Sequence, residues 1–477
     1  MALRWLVAMS LVAAWPCIGA AQAQPAPAAR PLLIDEVLTS VVSRYPPLLA
    51  ALIEQDIAAG RLRQAQGAFD LNLNAGLNAA PFGFYDGRTG SVILEQALQS
   101  WGAKVYGGYR LASGFLPNYN QMRTPDGGQL TAGVKINLLR DGRIDKDRAV
   151  QAQARLGEAA ADPFIARQRL DFVRAATVAY YNWLGSGLRL YAAEELLRVA
   201  NDRDAAVAEQ VKRGALAPIV RVDNERLVIS RKLAAIQAQR RFEATAIELS
   251  LFLRDGQDRP SIAARDRLPP AFPASVDPDG TRLQRDIAEA LTRRPETRGI
   301  ALSIEQLKIE RDLAQNELLP SLDIGIEARQ SPLRRQQTDI DVLETRLGVE
   351  FNVPLQRRAA AGRLKTLEGQ LLRLRTEEQF IRERIETEVR DAYSALTAAV
   401  LQINQARRNV VLAETLEQAE RLRFSQGATD LLALQIREQA TFDARLGELD
   451  AFNEYQRALA NYRAAVANNG QENTARR

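Results

Sequence analysis

The sequence predicts a mixed α and β chain, mostly helical, whose short strands several copies must share in one closed barrel. Three observations carry this. One helical seam runs unbroken from about Gln356 to Phe424, short strictly alternating strands precede it, and a set of landmarks recurs in the same order in both halves of the chain.

The seam places apolar residues at Leu364, Leu367, Leu371, Leu374, Ile381, Ile385, Val389, Ala392, Leu396, Ala399, Ile403, Ala406, Val410 and Ala413. Steps that alternate between three and four are the pattern of a coiled coil. Two successive steps of four, from Ile381 through Ile385 to Val389, form a stutter that locally unwinds a left-handed supercoil. No proline interrupts the run, so at 1.5 Å per residue it spans roughly 100 Å. A helix that long must pack against other long helices. Alone it would fit a dimeric rod or scaffold.

The chain has 477 residues, a net charge of +5 and no histidine. Arg4, the apolar stretch Trp5 to Trp15 and Ala21-Gln22-Ala23 read as a secretory leader cleaved after Ala23. Its apolar core is too short to span a bilayer. Cys17, the only cysteine, lies within that leader, and Pro16 before it argues against lipid attachment. The mature chain is then expected to hold no disulfide and no thiolate metal site. After the leader no stretch of about eighteen apolar residues follows, so membrane contact falls to strands or an amphipathic surface. The basic balance comes from arginines interleaved with acids on helices, which reads as a solvated face rather than a nucleic-acid site.

After the Pro/Ala-rich lead Gln24 to Pro31, a helix is predicted from Ile34 to Ala68 with a break at Pro46-Pro47. Leu71 to Asn78 then alternates, with Leu71, Leu73 and Leu77 on one face and Asn72, Asn74 and Asn78 on the other. The region Ala80 to Gln129 is rich in Gly and Tyr, with weaker strand signals at Val92 to Leu98 and Ala103 to Tyr109. It reads equally as an external lid, an additional hairpin, or interfacial aromatics, with Trp101, Tyr106, Tyr109, Phe115 and Tyr119. Leu130 to Leu138 is a clear strand and leads into a helix from Ile144 to Lys212, with a kink or restart expected at Asp162-Pro163. Arg213-Gly214-Ala215 turns the chain, a helix returns from Pro218 to Leu253, and a polar connector follows from Arg254 to Gly280.

The pattern then begins again. Pro295 and Ala314-Gln315 repeat Pro46 and Ala65-Gln66 at one offset. The strand Leu322, Ile324, Ile326 opposes Asp323, Gly325 and Glu327. After a loop from Ser331 to Asp341, Leu347, Val349, Phe351 and Val353 oppose Gly348, Glu350 and Asn352. Gly348-Val349-Glu350-Phe351-Asn352 repeats Gly133-Val134-Lys135-Ile136-Asn137, Gly427 repeats Gly214, and the last helix runs from Asp430 to Ala467. The expected organisation is a leader at 1–23, a first structural repeat at 24–253, a connector at 254–280, a second repeat at 281–467 and a polar tail at 468–477.

Each clear strand is about as long as a tilted outer-membrane strand. Four strands cannot close a barrel, and open edges are not tolerated in lipid. Several chains must therefore contribute to one barrel, with Asn72, Asn74, Asn78, Asn137, Asp323, Glu350 and Asn352 facing a wet lumen. The competing reading is a soluble periplasmic coiled-coil scaffold whose strands lie on a core, with those residues facing solvent.

From Ile34 to about Ala467 the chain resembles the TolC-like outer-membrane efflux proteins. The resemblance rests on Arg294-Pro295-Glu296, Leu319-Pro320-Ser321-Leu322, the Gly348 to Leu355 strand ending in Val353-Pro354-Leu355, and the turn glycines. It implies a homotrimer with a twelve-strand outer-membrane β-barrel continued by a periplasmic barrel of twelve helical strands. It further implies an exit duct for a tripartite efflux or type I secretion system, joined through a periplasmic adaptor to an inner-membrane pump. Adaptor contacts carry over to Gly214, Ala215, Leu216, Gly427, Ala428 and Thr429, and the periplasmic gate to Arg221, Asp223, Asp430 and Arg437. Phe424 and Thr429 stand where the best-known family gate has a tyrosine and an arginine.

No enzymatic activity and no cofactor are expected. Without histidine there is no Ser-His-Asp triad and no His-based metal site, and no Gly-rich phosphate loop is present.

Overall fold

Prolines set three of the helix starts, each in the first turn where a missing N–H costs nothing. Pro46 opens α2 (Pro46–Gln66), Pro218 opens α4 (Pro218–Ser250) and Pro295 opens α6 (Pro295–Asn316). The other helices are α1 (Ile34–Arg44), α3 (Lys146–Lys212), α5 (Leu283–Arg293), α7 (Arg358–Ser425) and α8 (Leu431–Ala465). The computed structural model describes residues 30–84, 86–114, 124, 128–331 and 343–468. The expected leader with Cys17, the aromatics Phe115 and Tyr119, nearly all of the 331–341 loop and the tail after Asn468 lie outside the described residues. Among the described residues no helix is long and apolar enough to cross a membrane.

Of the kink or restart expected at Asp162-Pro163, the restart does not occur, because α3 runs through Pro163 as one element. Pro163 forfeits one backbone hydrogen bond. It is buried, and packing of α3 against α2, α4, α6 and α8 offsets that loss.

Six strands form one antiparallel sheet in chain order: β1 (Asn72–Ala79), β2 (Gly87–Ala97), β3 (Lys104–Gly114), β4 (Gln129–Asn137), β5 (Ser321–Gln330) and β6 (Glu344–Asn352). The expectation of four clear strands per chain is therefore corrected to six. The region 80–129 supplies an additional hairpin, β2 and β3, lodged between β1 and β4. Its signal was weak because Gly107 and Gly108 interrupt the alternation of β3 at mid-strand.

The helices pack as four staves. The pair α2 and α4 flanks α3, the pair α6 and α8 lies on the other side of α3, and α7 packs on that second pair. The buried face of α7 is the seam read from the sequence: Leu367, Leu371, Ile385, Val389, Ala392, Leu396, Ala399, Ile403 and Val410 are all buried. Three apolar clusters hold the staves near their middle. One joins α1, α3 and α4 around Trp183, Leu184 and Leu249, a second joins α7 and α8 around Ile403 and Tyr455, and a third joins α5, α7 and α8 around Ile287 and Val389.

The connector between α4 and α5 is an ordered strap rather than a loose link. Phe272 stacks on Phe452 of α8 with centroids 5.7 Å apart and also on Tyr181 of α3. The Val276 N–H donates to the Tyr455 hydroxyl at 2.9 Å, and the Leu32 N–H donates to the Arg267 carbonyl at 2.8 Å. The strap thus binds the helices of both halves in one belt.

Ile403 is fully buried between α7 and α8. Ile403→Ala removes that packing and leaves a cavity, costing about 2–5 kcal/mol. Thermal unfolding of the purified variant should show a clearly lower midpoint; an unchanged midpoint would mean that this seam contributes little.

Candidate functional site

Alternation divides the sheet into two faces that keep their identity across all six strands. In register, Leu73 of β1 pairs with Leu94, Tyr109 with Leu130, Ile136 with Ile324, and Ile324 with Val349, which makes one face apolar. On the other, Asn72 pairs with Glu95, Asn137 with Asp323, and Asp323 with Glu350. All seven residues expected to share a polar face do share it, and Asn137, Asp323 and Glu350 form a single row.

At the centre of this sheet burial is the reverse of a soluble one, and at β1 and β6 both faces are exposed. Leu77 is 81% exposed and Leu347 68%, whereas Thr131 is 4% and Arg329 6% exposed. A soluble sheet buries its oily face and wets its polar face. Here the buried polar residues are partnered, as burial demands. The Thr131 hydroxyl donates to Glu327 Oε1 at 2.6 Å, and Arg329 pairs with Glu327 Oε2 at 2.9 Å. Lys135 reaches Asp323 at 3.0 Å and Glu350 at 3.9 Å, tying three strands together on the polar face. Thr131, Lys135 and Glu327, which the alternation places on the polar face, lie there. Arg329, which sequence reasoning missed, continues the same alternation two residues beyond Glu327.

At the far end of the helices the chain reverses twice in the same way. Gly214 has φ 76° and Gly427 φ 72°. The Gly214 N–H bonds to the Val211 carbonyl at 3.0 Å and the Ala215 N–H to the Gln210 carbonyl at 2.9 Å. Gly427 to Phe424 and Ala428 to Arg423 repeat those bonds at 3.0 and 2.9 Å. This pairing is a helix C-cap that requires a left-handed residue, which glycine supplies without strain. Gly214, Ala215, Gly427 and Ala428 are exposed at the tips, and Leu216 and Thr429 are half-buried beside them.

The four charges expected near the tips do not meet one another. Arg221, Asp223 and Arg437 are exposed, and Asp430 caps α8 by accepting the Ala433 N–H at 2.8 Å. No ion pair among the described residues joins any two of them. The buried charges of this region are others. Glu438 of α8 is hydrogen-bonded to Arg203 of α3 and lies 3.6 Å from Arg421 of α7. Asn224, fully buried on α4, donates to Asp204 at 2.8 Å, and Arg231 donates to Gln439. Arg203 with Glu438 and Arg231 with Gln439 link the α3/α4 hairpin to the α7/α8 hairpin, while the Asn224 bond to Asp204 joins α4 to α3. A signal for them was present: Glu438 and Thr441 occupy buried seam positions between Leu434 and Ala444, where a coiled coil wants apolar side chains.

Between tips and sheet, Arg294 at the start of α6 clamps two elements. It is bidentate to Glu296, at 2.6 and 3.2 Å, and also bonds Glu388 of α7. Burial pushes the Glu296 carboxyl up, but the hydrogen bonds and charge of Arg294 outweigh this and hold its pKa below the usual glutamate value. Among the described residues no group of three His, Cys, Asp or Glu side chains could hold a metal ion.

No protein-family model matches the chain, and no curated protein matches it by sequence. Solved structures match its fold. The CmeC outer membrane channel of Campylobacter jejuni aligns with a TM-score of 0.65 at 14% identity, covering 93% of this chain and 88% of that one. The open state of the MtrE outer membrane channel of Neisseria gonorrhoeae gives 0.64 at 16% identity, over 91% and 88%. The outer membrane protein VceC of Vibrio cholerae gives 0.64 at 14% identity, over 91% and 96%. At these identities the likeness establishes the fold, and it is the TolC-like fold.

The depressed pKa of Glu296 makes the Arg294 clamp a source of stability that is present above the ordinary glutamate pKa of about 4.3. It is lost as pH falls through the lower folded value. The thermal midpoint should therefore drop on acidification below about pH 4, and Glu296→Gln should flatten that part of the profile. An identical acid profile in the variant would show that the clamp does not contribute.

Proposed function

We propose that the chain is one subunit of a passive exit duct in an outer membrane, in which copies of the sheet close a β-barrel and the helices continue it into the periplasm. The observation that carries this reading is the exposed oily face of the sheet, set opposite a polar face whose central residues Thr131, Glu327 and Arg329 pair with one another, with β1 and β6 both left with an open edge. In lipid an unpaired strand edge is not tolerated, so β6 of one copy pairs with β1 of the next. The resemblance to TolC-like proteins sets the number of copies at three. The solved outer membrane channels of like fold support a conduit rather than an enzyme.

On this reading the duct belongs to a tripartite efflux or type I secretion system and draws its energy from an inner-membrane pump. A periplasmic adaptor docks on the exposed tips at Gly214, Ala215, Leu216, Gly427, Ala428 and Thr429. Arg221, Asp223, Asp430 and Arg437 lie near those tips and set the charge of the narrow end, while the buried Arg203 and Glu438 pair restrains the two hairpins. Residues 1–23 deliver the chain across the inner membrane. The two halves, each with helices before and after its strands, descend from one duplicated unit. The soluble-scaffold reading is disfavoured, because it leaves Leu73, Leu77, Leu347, Val349 and Phe351 in water.

Reconstituted into lipid bilayers, the protein should conduct ions, and Ile324→Arg should impair assembly. That substitution puts a charge on the proposed lipid face, costing about 2–4 kcal/mol at mid-membrane. Loss of the detergent-stable oligomer is expected. Normal assembly and conductance of the variant would sink the assignment of faces.

A further inference from the structure

We propose that the β2–β3 hairpin is an expansion segment of the membrane wall, so that three copies close a barrel of eighteen strands rather than twelve. The inference rests on the duct reading above and goes beyond it in the width of the pore.

The hairpin is part of the wall by register. Every residue of β1 pairs with β2, and β3 pairs with β4 from Lys104 to Arg110, so β1 and β4 never meet. It also obeys the two faces. Val92 and Leu94 continue the apolar face between Leu73 and Leu130, and both are exposed. Ser91 and Glu95 lie on the polar face, where Glu95 bonds Lys104 at 3.3 Å. A lid lying outside the membrane has no need of an exposed oily face aligned with that of its neighbours.

The hairpin spans the full height of the sheet. Its closing turn sits at the helix end, where Gly102, with φ 57°, lies against the Asp141 carbonyl so closely that an added Cβ would approach it to 2.4 Å. Gln96 donates to the Phe69 carbonyl at 3.4 Å beside the end of α2. At 11 residues each, β2 and β3 are as long as tilted outer-membrane strands.

Circumference agrees. Strands about 4.8 Å apart and tilted about 40° each take roughly 6 Å of a barrel's girth, so six take about 38 Å. Four helical staves at about 8–10 Å take about 32–40 Å. Sheet and helices of one chain therefore subtend the same arc, whereas four strands would take only about 25 Å and force extra tilt or a taper. Eighteen such strands enclose a cylinder about 36 Å across between backbones, against about 24 Å for twelve, and barrels of 16–18 strands leave an aqueous channel. The outer half of the duct is then wide.

Cys17 is the only cysteine, so Cys17→Ser gives a thiol-free background. In that background Ser91→Cys, Val92→Cys, Leu94→Cys and Glu95→Cys are introduced singly, with Asp323→Cys and Ile324→Cys on β5 as the reference pair. In lipid vesicles a water-soluble maleimide should label positions 91, 95 and 323, and should label 92, 94 and 324 only after denaturation. Uniform labelling along β2 while the β5 pair alternates overturns the inference and leaves the duct reading intact. Loss of alternation on β5 as well overturns the duct reading itself. A second measurement uses deletion of residues 82–127, which joins β1 to β4 through a short turn. End-on electron microscopy of that variant should show a membrane barrel narrower by about one third, as the loss of six strands in eighteen requires; an unchanged diameter overturns the inference. Where the deletion fails to assemble, the labelling pattern decides.

Discussion

A strand edge without hydrogen-bond partners is intolerable where no water can reach it, and this constraint governs the molecule from one end to the other. The sheet has two such edges, on β1 and β6, and an oily outer face between them. Water would penalise the face, and lipid would penalise the edges. In the proposed duct a ring of copies relieves both at once. The polar side chains are consistent with this, because on a concave inner face they crowd, and Glu327 with Thr131 and Arg329, or Lys135 with Asp323 and Glu350, satisfy one another there.

In the proposed duct the helices inherit the geometry of that ring. Each stave must leave the sheet at the right spacing, and the belt at mid-height fixes it. Phe272 of the strap stacks on Phe452 and Tyr181, and the Arg294 clamp ties α6 to α7. Within these mid-height clusters, small residues such as Ala392, Ala399 and Ala451 let the helices run close together. Toward the tips the seam turns polar at Glu438 and Thr441. A buried ion pair contributes little net stability compared with an apolar pair, yet losing one partner is costly. Such a pair favours one arrangement of two hairpins over many similar ones.

The sequence made the long elements legible because each writes its period repeatedly. The α7 seam from Leu367 to Val410 and the alternation of β1, β4, β5 and β6 could be read residue by residue, and the tips could be located from their glycines. The inserted hairpin was harder. Gly107 and Gly108 blank two positions of β3, and Ile93 stands on the polar face of β2, so neither strand alternates cleanly until its neighbours are known. At Pro163 local chemistry also allows a helix restart, and tertiary packing carries α3 through it as one element. In the tip region the polar seam positions of α8 mark Glu438, but its pairing with Arg203, and that of Asn224 with Asp204, joins residues far apart in the chain or on facing helices, which no local pattern reveals.

The stoichiometry of the detergent-released particle bears most directly on the shared wall. Native mass spectrometry of protein extracted from membranes should give three chains per particle, held together without covalent links and precipitating when detergent is withdrawn. A single chain that stays folded and dispersed in plain buffer would contradict the account at its root.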